Sequence, residues 1–239
     1  MSLIDKLRKN IWHQTLKTYE EVLVKLASTE DIQNLLDSGC GAGETTLKIA
    51  QQIGVKKDQV FGIENYAPKI KAAEELGLKV SNDDLNQKIS FNDNQFDLVT
   101  ANFVIEHLFD VDCFISEICR VLKKGKCAII GTENLSSWHN ILALLCGYQP
   151  FSSSIALSSK YVLGNKFQSN RFQAMKDDES PHLRVFSFQG LKDIFEVYKF
   201  KVEAVAGIGY LPFWGACANM LSHLDRRHAL FLLIKVRKV

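Results

Sequence analysis

No run of about eighteen apolar residues occurs anywhere in the chain, so the sequence predicts no membrane-spanning helix. Asp5, Lys6, Arg8 and Lys9 interrupt the apolar core that a secretory leader would need. A dominant charge sign is also missing. The 29 basic and 27 acidic side chains leave a formal net charge of +2, which offers no large electrostatic footprint for a nucleic-acid backbone. Lys123, Lys124 and Lys126, like Lys235, Arg237 and Lys238, read as solvated turns and chain ends. Cys40, Cys113, Cys119, Cys127, Cys146 and Cys217 form no Cys-x-x-Cys pair and have no histidines at zinc spacing. Free thiols in a reducing, cytoplasmic setting are expected.

What is present is ordinary globular material, 46% apolar and 23% charged over 239 residues, enough for one large domain. Ile4, Leu7, Ile11, Tyr19, Val22, Leu23 and Leu26 fall at helical spacing and predict an amphipathic helix over 3–27. Strands are expected at Ile32–Asp37, Val60–Ile63, Lys79–Val80, Phe96–Ala101 and Cys127–Gly131. Between them, helices are expected at Glu44–Ile53 and Pro68–Leu76, with a third placing Val111, Phe114, Ile115, Ile118, Val121 and Leu122 on one face. This alternation predicts an α/β fold with a parallel sheet covered on both sides.

Periodicity weakens over 135–184, which mixes Ile141–Leu145 with a serine-rich run at Ser152, Ser153, Ser154, Ser158 and Ser159. An unpatterned segment of that length inside one domain reads as a lid-like insertion. A helix near Phe188–Tyr198 and strands at Lys201–Ala206 and Phe231–Val236 complete the pattern.

The chemistry concentrates at Asp37-Ser38-Gly39-Cys40-Gly41-Ala42-Gly43, a glycine turn between the first strand and its helix. Such turns bind nucleosides or phosphates because glycine permits positive φ and close backbone approach. A dinucleotide site would need its third glycine one position later, where Glu44 stands. Asp37 and Glu44 would also repel a pyrophosphate, whereas they suit a ligand carrying an ammonium and a sulfonium, such as S-adenosylmethionine. No Gly-Lys-Ser or Gly-Lys-Thr follows, which excludes a P-loop. Glu64 ends the second strand, placed to accept ribose hydroxyls, with Asn65 beside it.

On these residues the chain resembles the class I S-adenosylmethionine-dependent methyltransferase family. Leu35 to Gly43 is similar to the family's first motif, and Glu64 to its ribose acid. Asp84-Leu85 is similar to the pair that contacts adenine, although the adjacent Asp83 leaves that register open by one. Phe96 to Val99, Glu106-His107-Leu108 and Arg120 to Gly125 extend the likeness, with Lys124-Gly125-Lys126 where Pro-Gly-Gly is usual. The resemblance implies a Rossmann-like three-layer sandwich with a seven-stranded sheet of order 3-2-1-4-5-7-6, strand seven antiparallel. Cofactor contacts are expected from Asp37, Gly39, Cys40, Gly41, Gly43, Glu64, Asn65, Asp84, Leu85 and Asn102. S-adenosyl-L-methionine would be converted to S-adenosyl-L-homocysteine by direct displacement.

The acceptor leaves fewer marks. Ala101-Asn102-Phe103-Val104 is not an Asn-Pro-Pro-Tyr box, and no Pro-Cys nucleophile occurs there. Adenine, glutamine and cytosine carbon-5 acceptors are thereby disfavoured. No metal-ligand set of carboxylates is evident, so none is expected. His107 reads as a general base or as part of a structural Glu-His pair. His182 with Arg184 reads as a base and anion clamp or as a pin for the loop. Trp12 and Tyr19 read as core-facing aromatics or as a cover over the pocket. Tyr210-Leu211-Pro212-Phe213-Trp214 reads as core cover, acceptor wall, or a contact with lipid or another subunit.

The leading expectation is methyl transfer to an oxygen of a saccharide, lipid-linked or quinone-like small molecule by a monomer or homodimer. Peripheral membrane contact fits it and nucleic acid does not. The alternatives are an RNA or protein methyltransferase and a non-catalytic partner subunit of the same fold.

Overall fold

The computed structural model describes residues 3–155, 163–168 and 180–239. After α1 (Leu3–Ala27) come β1 (Leu35–Ser38), α2 (Glu44–Gln52), β2 (Val60–Ile63), α3 (Ala67–Glu75) and β3 (Lys79–Ser81). Then follow β4 (Phe96–Asn102), α4 (Val111–Val121), β5 (Leu122–Glu133) and α5 (Trp138–Leu145). The chain closes with α6 (Phe188–Val197), β6 (Phe200–Ile208), α7 (Gly215–Leu224) and β7 (Phe231–Lys238). The side chains of Ile4 and Leu7, and residues 156–162 and 169–179 of the expected lid, lie outside the described residues.

The sheet has the expected order β3-β2-β1-β4-β5-β7-β6. β1 pairs in parallel with both β2 and β4, and β7 runs antiparallel between β5 and β6. Strand order therefore reverses between β1 and β4, which opens a crevice above their C-terminal ends. One face is packed by α4 and α6 through Phe114, Ile118, Leu191 and Phe195. The other is packed by α1 and α2 through Tyr19, Leu23, Ala27 and Ile49. Tyr19, Leu23 and Ala27 are four residues apart, so one stripe of α1 buries itself while the rest stays wet.

Two polar anchors fix the parts that frame the crevice. Asp97 accepts the Gln33 and Asn34 amides and the Lys123 ammonium, which stops β1 three residues short of the predicted Ile32. Burial pushes the Asp97 carboxyl up, but these bonds outweigh it and hold it below the usual range. Lys235 of β7 is buried and donates to Leu26 O, Thr29 Oγ1 and Glu30 Oε1, capping the end of α1. That cap sets α1, and hence Tyr19, against the sheet.

Two segments read from sequence as patternless or as a mere patch contain helices. α5 lies in the 135–184 region and α7 in the stretch after Tyr210. Both invert the usual pattern. Trp138, Leu142, Leu144 and Leu145 are exposed on α5 while Asn140 is fully buried, bonding Asn134 O and Ser152 Oγ. On α7, Met220 and Leu224 are exposed while Ala218 and Ser222 are buried.

Candidate active site

The glycine turn crosses the mouth of the crevice. Gly39, Gly41 and Gly43 all take positive φ, at 82°, 56° and 85°. A Cβ at Gly39 would lie 2.4 Å from Val104 Cγ2, whereas at Gly41 it would meet nothing within 4 Å. Gly39 is thus required by packing, and Gly41 leaves open backbone toward the space a ligand would enter. The Gly39 and Cys40 amides both donate to Ile63 O, tying the turn to β2. Cys40 turns its thiol into the core against Gly62, where burial pushes it up to about 12. Only the Cys40 backbone is left to serve a ligand.

Asp37 is buried below the turn, its two oxygens accepting the Thr46 and Thr100 hydroxyls at 2.5 and 2.8 Å. Burial raises its carboxyl to about 6, with the two hydroxyls partly offsetting the rise. Glu64 Oε2 accepts the Gly41 amide at 3.1 Å, and Oε1 accepts the Asn65 and Tyr66 amides. One carboxylate therefore stiffens the turn and marks the end of β2. Asp84 is held by Asn86 and Gln87, and Asp83 by Ser81 and Ser90. Both aspartates line the same cavity as Leu85, so the register between them stays as the sequence left it.

Two cavities share Gly39, Gly41, Asn102 and Phe103. One, of 320 Å³, runs past Asp37, Thr46 and Tyr19, and the other, of 780 Å³, past Glu64, Asn65, Asp83, Asp84 and Leu85. Together they place every expected cofactor residue along one trough, with acidic groups for the charged and ribose portions and an open backbone at Gly41. The residues fit S-adenosylmethionine.

Tyr19 covers this trough. Its hydroxyl donates to Asn102 Oδ1 at 2.7 Å and its ring stacks on Phe103 with centroids 5.0 Å apart. Phe103 adopts φ 56°, a left-handed conformation costly for an aromatic residue, which turns its ring back onto Tyr19 and Phe231. Tyr19 is a buried core aromatic that also lines the 320 Å³ cavity.

Glu106 and His107 lie in a one-turn 3-10 helix, Ile105–His107, separate from α4. The Glu106 carbonyl accepts the Leu183 and Arg184 amides, and its carboxylate, driven up by burial, accepts the Thr132 hydroxyl. Arg184 donates to Leu108 O and Phe109 O, so it pins the returning chain. His182 is thereby carried against His107, ring centroids 4.7 Å apart. Burial and the neighbouring His182 lower His107 to about 4. Glu133, unmarked in the sequence, ends β5 with Oε2 3.7 Å from His182 Nδ1. It lines both the trough and a further cavity.

That further cavity, 530 Å³, is walled by Ile11, Trp12, Phe151, Phe167, Leu211 and Leu230, with Thr15, Glu133, His139, Ser152 and Gln168 as its polar groups. Trp12 borders both spaces as well.

An exchange of Glu64 for Ala is expected to weaken S-adenosylmethionine binding by roughly tenfold or more, since the Gly41, Asn65 and Tyr66 amides lose their acceptor together with the expected ribose contact. Calorimetric titration reads this directly, and an unchanged affinity would remove Glu64 from the site.

Residues 30–184 match the family described as a methyltransferase domain. A 2-phytyl-1,4-naphtoquinone methyltransferase of Nostoc punctiforme is 29% identical over 123 residues, covering 48% of this chain and 52% of that protein. The mitochondrial ubiquinone biosynthesis O-methyltransferase of Rattus norvegicus is 27% identical over 190 residues, covering 76% of this chain and 48% of that protein. The chain thus spans about half the length of these curated relatives. A solved S-adenosylmethionine-dependent methyltransferase from Thermotoga maritima shares the fold at TM-score 0.59 and 14% identity, over 99% of this chain and 96% of that one.

Proposed function

The chain belongs to the class I S-adenosylmethionine-dependent methyltransferase family, and from that premise we propose that it methylates an oxygen of a small, apolar, quinone-like acceptor. The observation that carries this reading is the aromatic-lined cavity between α1, α5 and Leu211, which meets the cofactor trough at Trp12 and Glu133. Trp12, Phe151, Phe167, Leu211 and Leu230 suit a ring with a hydrocarbon tail better than a saccharide, whose hydroxyls would find side-chain partners only at Thr15, Glu133, His139, Ser152 and Gln168. Curated relatives named for quinone substrates support the same class.

S-adenosylmethionine supplies a methyl group on a sulfonium that is already a good leaving group. The protein's work is therefore to orient the acceptor and exclude water. Asp37, the glycine turn, Glu64, Asn65, Asp84, Leu85 and Asn102 hold the cofactor in this reading. Tyr19 closes the trough. His107 and His182 line the trough beside Glu133 and orient the acceptor oxygen, whose proton Glu133 takes up. The 135–184 region, an insertion in a single domain, supplies the acceptor wall through His139, Phe151, Ser152 and Phe167.

Among the described residues no helix is long and apolar enough to cross a membrane. Leu142, Leu144 and Leu145 are exposed on α5, the helix that lends His139 to the cavity, and Phe213 and Trp214 are exposed just after Leu211, apolar surface suited to collecting a lipid-soluble compound at a membrane face. All six thiols are free, which suits the reducing cytoplasm.

The test supplies labelled S-adenosylmethionine with reduced quinones of differing tail length, and saccharides as controls. Transfer to the quinols is expected, and Leu211→Arg should raise the acceptor KM roughly tenfold with cofactor affinity unchanged. Transfer confined to saccharides would overturn the acceptor class. No cofactor binding at millimolar ligand would leave a silent subunit.

A further inference from the structure

His107 and His182 are 75 positions apart in sequence, yet the pinning of Leu183 and Arg184 on the Glu106 carbonyl brings their rings together. His107 Nδ1 lies 3.2 Å from Pro181 O, and His182 Nδ1 lies 2.8 Å from Ser152 O. A carbonyl oxygen can only accept, so each Nδ1 carries a proton and donates it. That tautomer puts the lone pair of each ring on Nε2, with the Ser180 backbone as a further hydrogen-bond neighbour of His107. A backbone carbonyl orienting the remote ring nitrogen is how metal-binding histidines are commonly held.

Glu106 supplies the third group. It is fully buried, and its Oε2 accepts the Thr132 hydroxyl while Oε1 has no partner among the described residues. An orphaned carboxylate oxygen at that depth is costly and asks for a cation or a donor. One ligand atom from each of Glu106, His107 and His182 lies within 4.8 Å of the others. A metal held at about 2.0–2.2 Å needs its donors about 3.3 Å apart, within reach of small side-chain rotations.

We propose that Glu106, His107 and His182 form a binding site for a divalent first-row transition metal, zinc above all, at the junction of cofactor trough and acceptor cavity. Two imidazoles and one carboxylate are a donor set that zinc accepts while keeping a coordination position open. The proposal rests on the acceptor reading above, because the open position takes the acceptor oxygen. Coordination there favours loss of the hydroxyl proton, which passes to the Glu133 carboxylate. The oxygen then forms its bond to the methyl carbon as the carbon–sulfur bond breaks, and that electron pair leaves with sulfur. Charge balances without an oxidant or reductant.

The experiment uses the full chain, stripped with a chelator and titrated with Zn²⁺ alone by calorimetry, then with Co²⁺ as a visible-absorption probe. One equivalent is expected to bind at micromolar concentration or tighter, with d–d bands for Co²⁺. His182→Ala, whose side chain is partly exposed, should weaken binding by roughly a hundredfold and abolish the bands. His107→Ala should do the same, and Glu64→Ala should leave metal binding intact while impairing the cofactor. No binding at 100 µM metal (about that concentration serves as the cut-off) overturns the proposal, as does binding that both histidine variants retain. In either case S-adenosylmethionine titration still reads the methyltransferase assignment separately.

Discussion

Replacing Asp37 by Asn is expected to raise the thermal stability of the ligand-free protein while weakening S-adenosylmethionine binding by roughly tenfold or more. The carboxyl titrates near 3.8 when free and near 6 in its buried place. Folding therefore favours the protonated form, and ionisation costs stability. That cost is absent below about pH 4, grows as pH rises toward about 6, and is complete above it. At neutral pH it amounts to at most about 3 kcal/mol, since each pH unit is worth about 1.4 kcal/mol. An Asn keeps the shape without the charge, and the Thr46 and Thr100 hydroxyls can turn to suit it. A cationic ligand would recover the cost of the charge, so the same group that loosens the empty protein strengthens the complex. Affinity in the unchanged protein should fall as pH drops below about 6, for the same reason. Thermal melts with and without ligand at pH 5 and 8 check both halves. A variant that is less stable and binds equally well would make Asp37 a structural acceptor for the two threonines and nothing more.

The second large effect is expected at Gly131 of β5, against which the Tyr19 ring packs. A Cβ there would lie 1.5 Å from Tyr19 Oη and 2.6 Å from Tyr19 Cζ. Gly131→Ala must therefore expel the Tyr19 ring, breaking its bond to Asn102 and its stack on Phe103. Overpacking of this kind costs about 1–3 kcal/mol, and here it also unroofs the cofactor trough. Denaturant melts should show the loss of stability, and calorimetry a roughly tenfold loss of cofactor affinity. Tyr19→Leu in the Gly131→Ala background should return stability but not affinity. If affinity returned as well, Tyr19 would be packing for α1 and no part of the site.

The residues of the candidate site that are legible in the sequence are those whose parts are local. Asp37 through Gly43 is one continuous turn, and Glu64 and Asp84 stand at strand ends whose apolar runs are plain in sequence. Strand and helix periodicity makes those ends predictable, and the parallel order brings them to one edge. The helices α5 and α7 are not legible in the sequence for a different reason. Their apolar side chains face outward and their small or polar ones inward, so a rule built on burial of apolar stripes finds no helix there. Asn140 stabilises α5 from within by satisfying Asn134 and Ser152, a bond no spacing announces.

The absences first met in the sequence retain different weights. Without a long apolar run, none of the described helices can span a membrane, and that follows from composition alone. Near-neutral charge set against an acidic, glycine-lined turn was likewise enough to point to the cofactor, because the turn's chemistry lies within about thirty residues. The lack of metal spacing was a statement about neighbours in sequence only. Glu106, His107 and His182 meet because Arg184 and Leu183 fasten a distant segment to Glu106. Glu133, Trp12 and Leu211 likewise meet around the 530 Å³ cavity from three separated parts of the chain. Contacts within a turn are fixed by backbone geometry, which the sequence carries directly. Contacts between remote segments depend on how whole elements pack, and only the folded chain decides them.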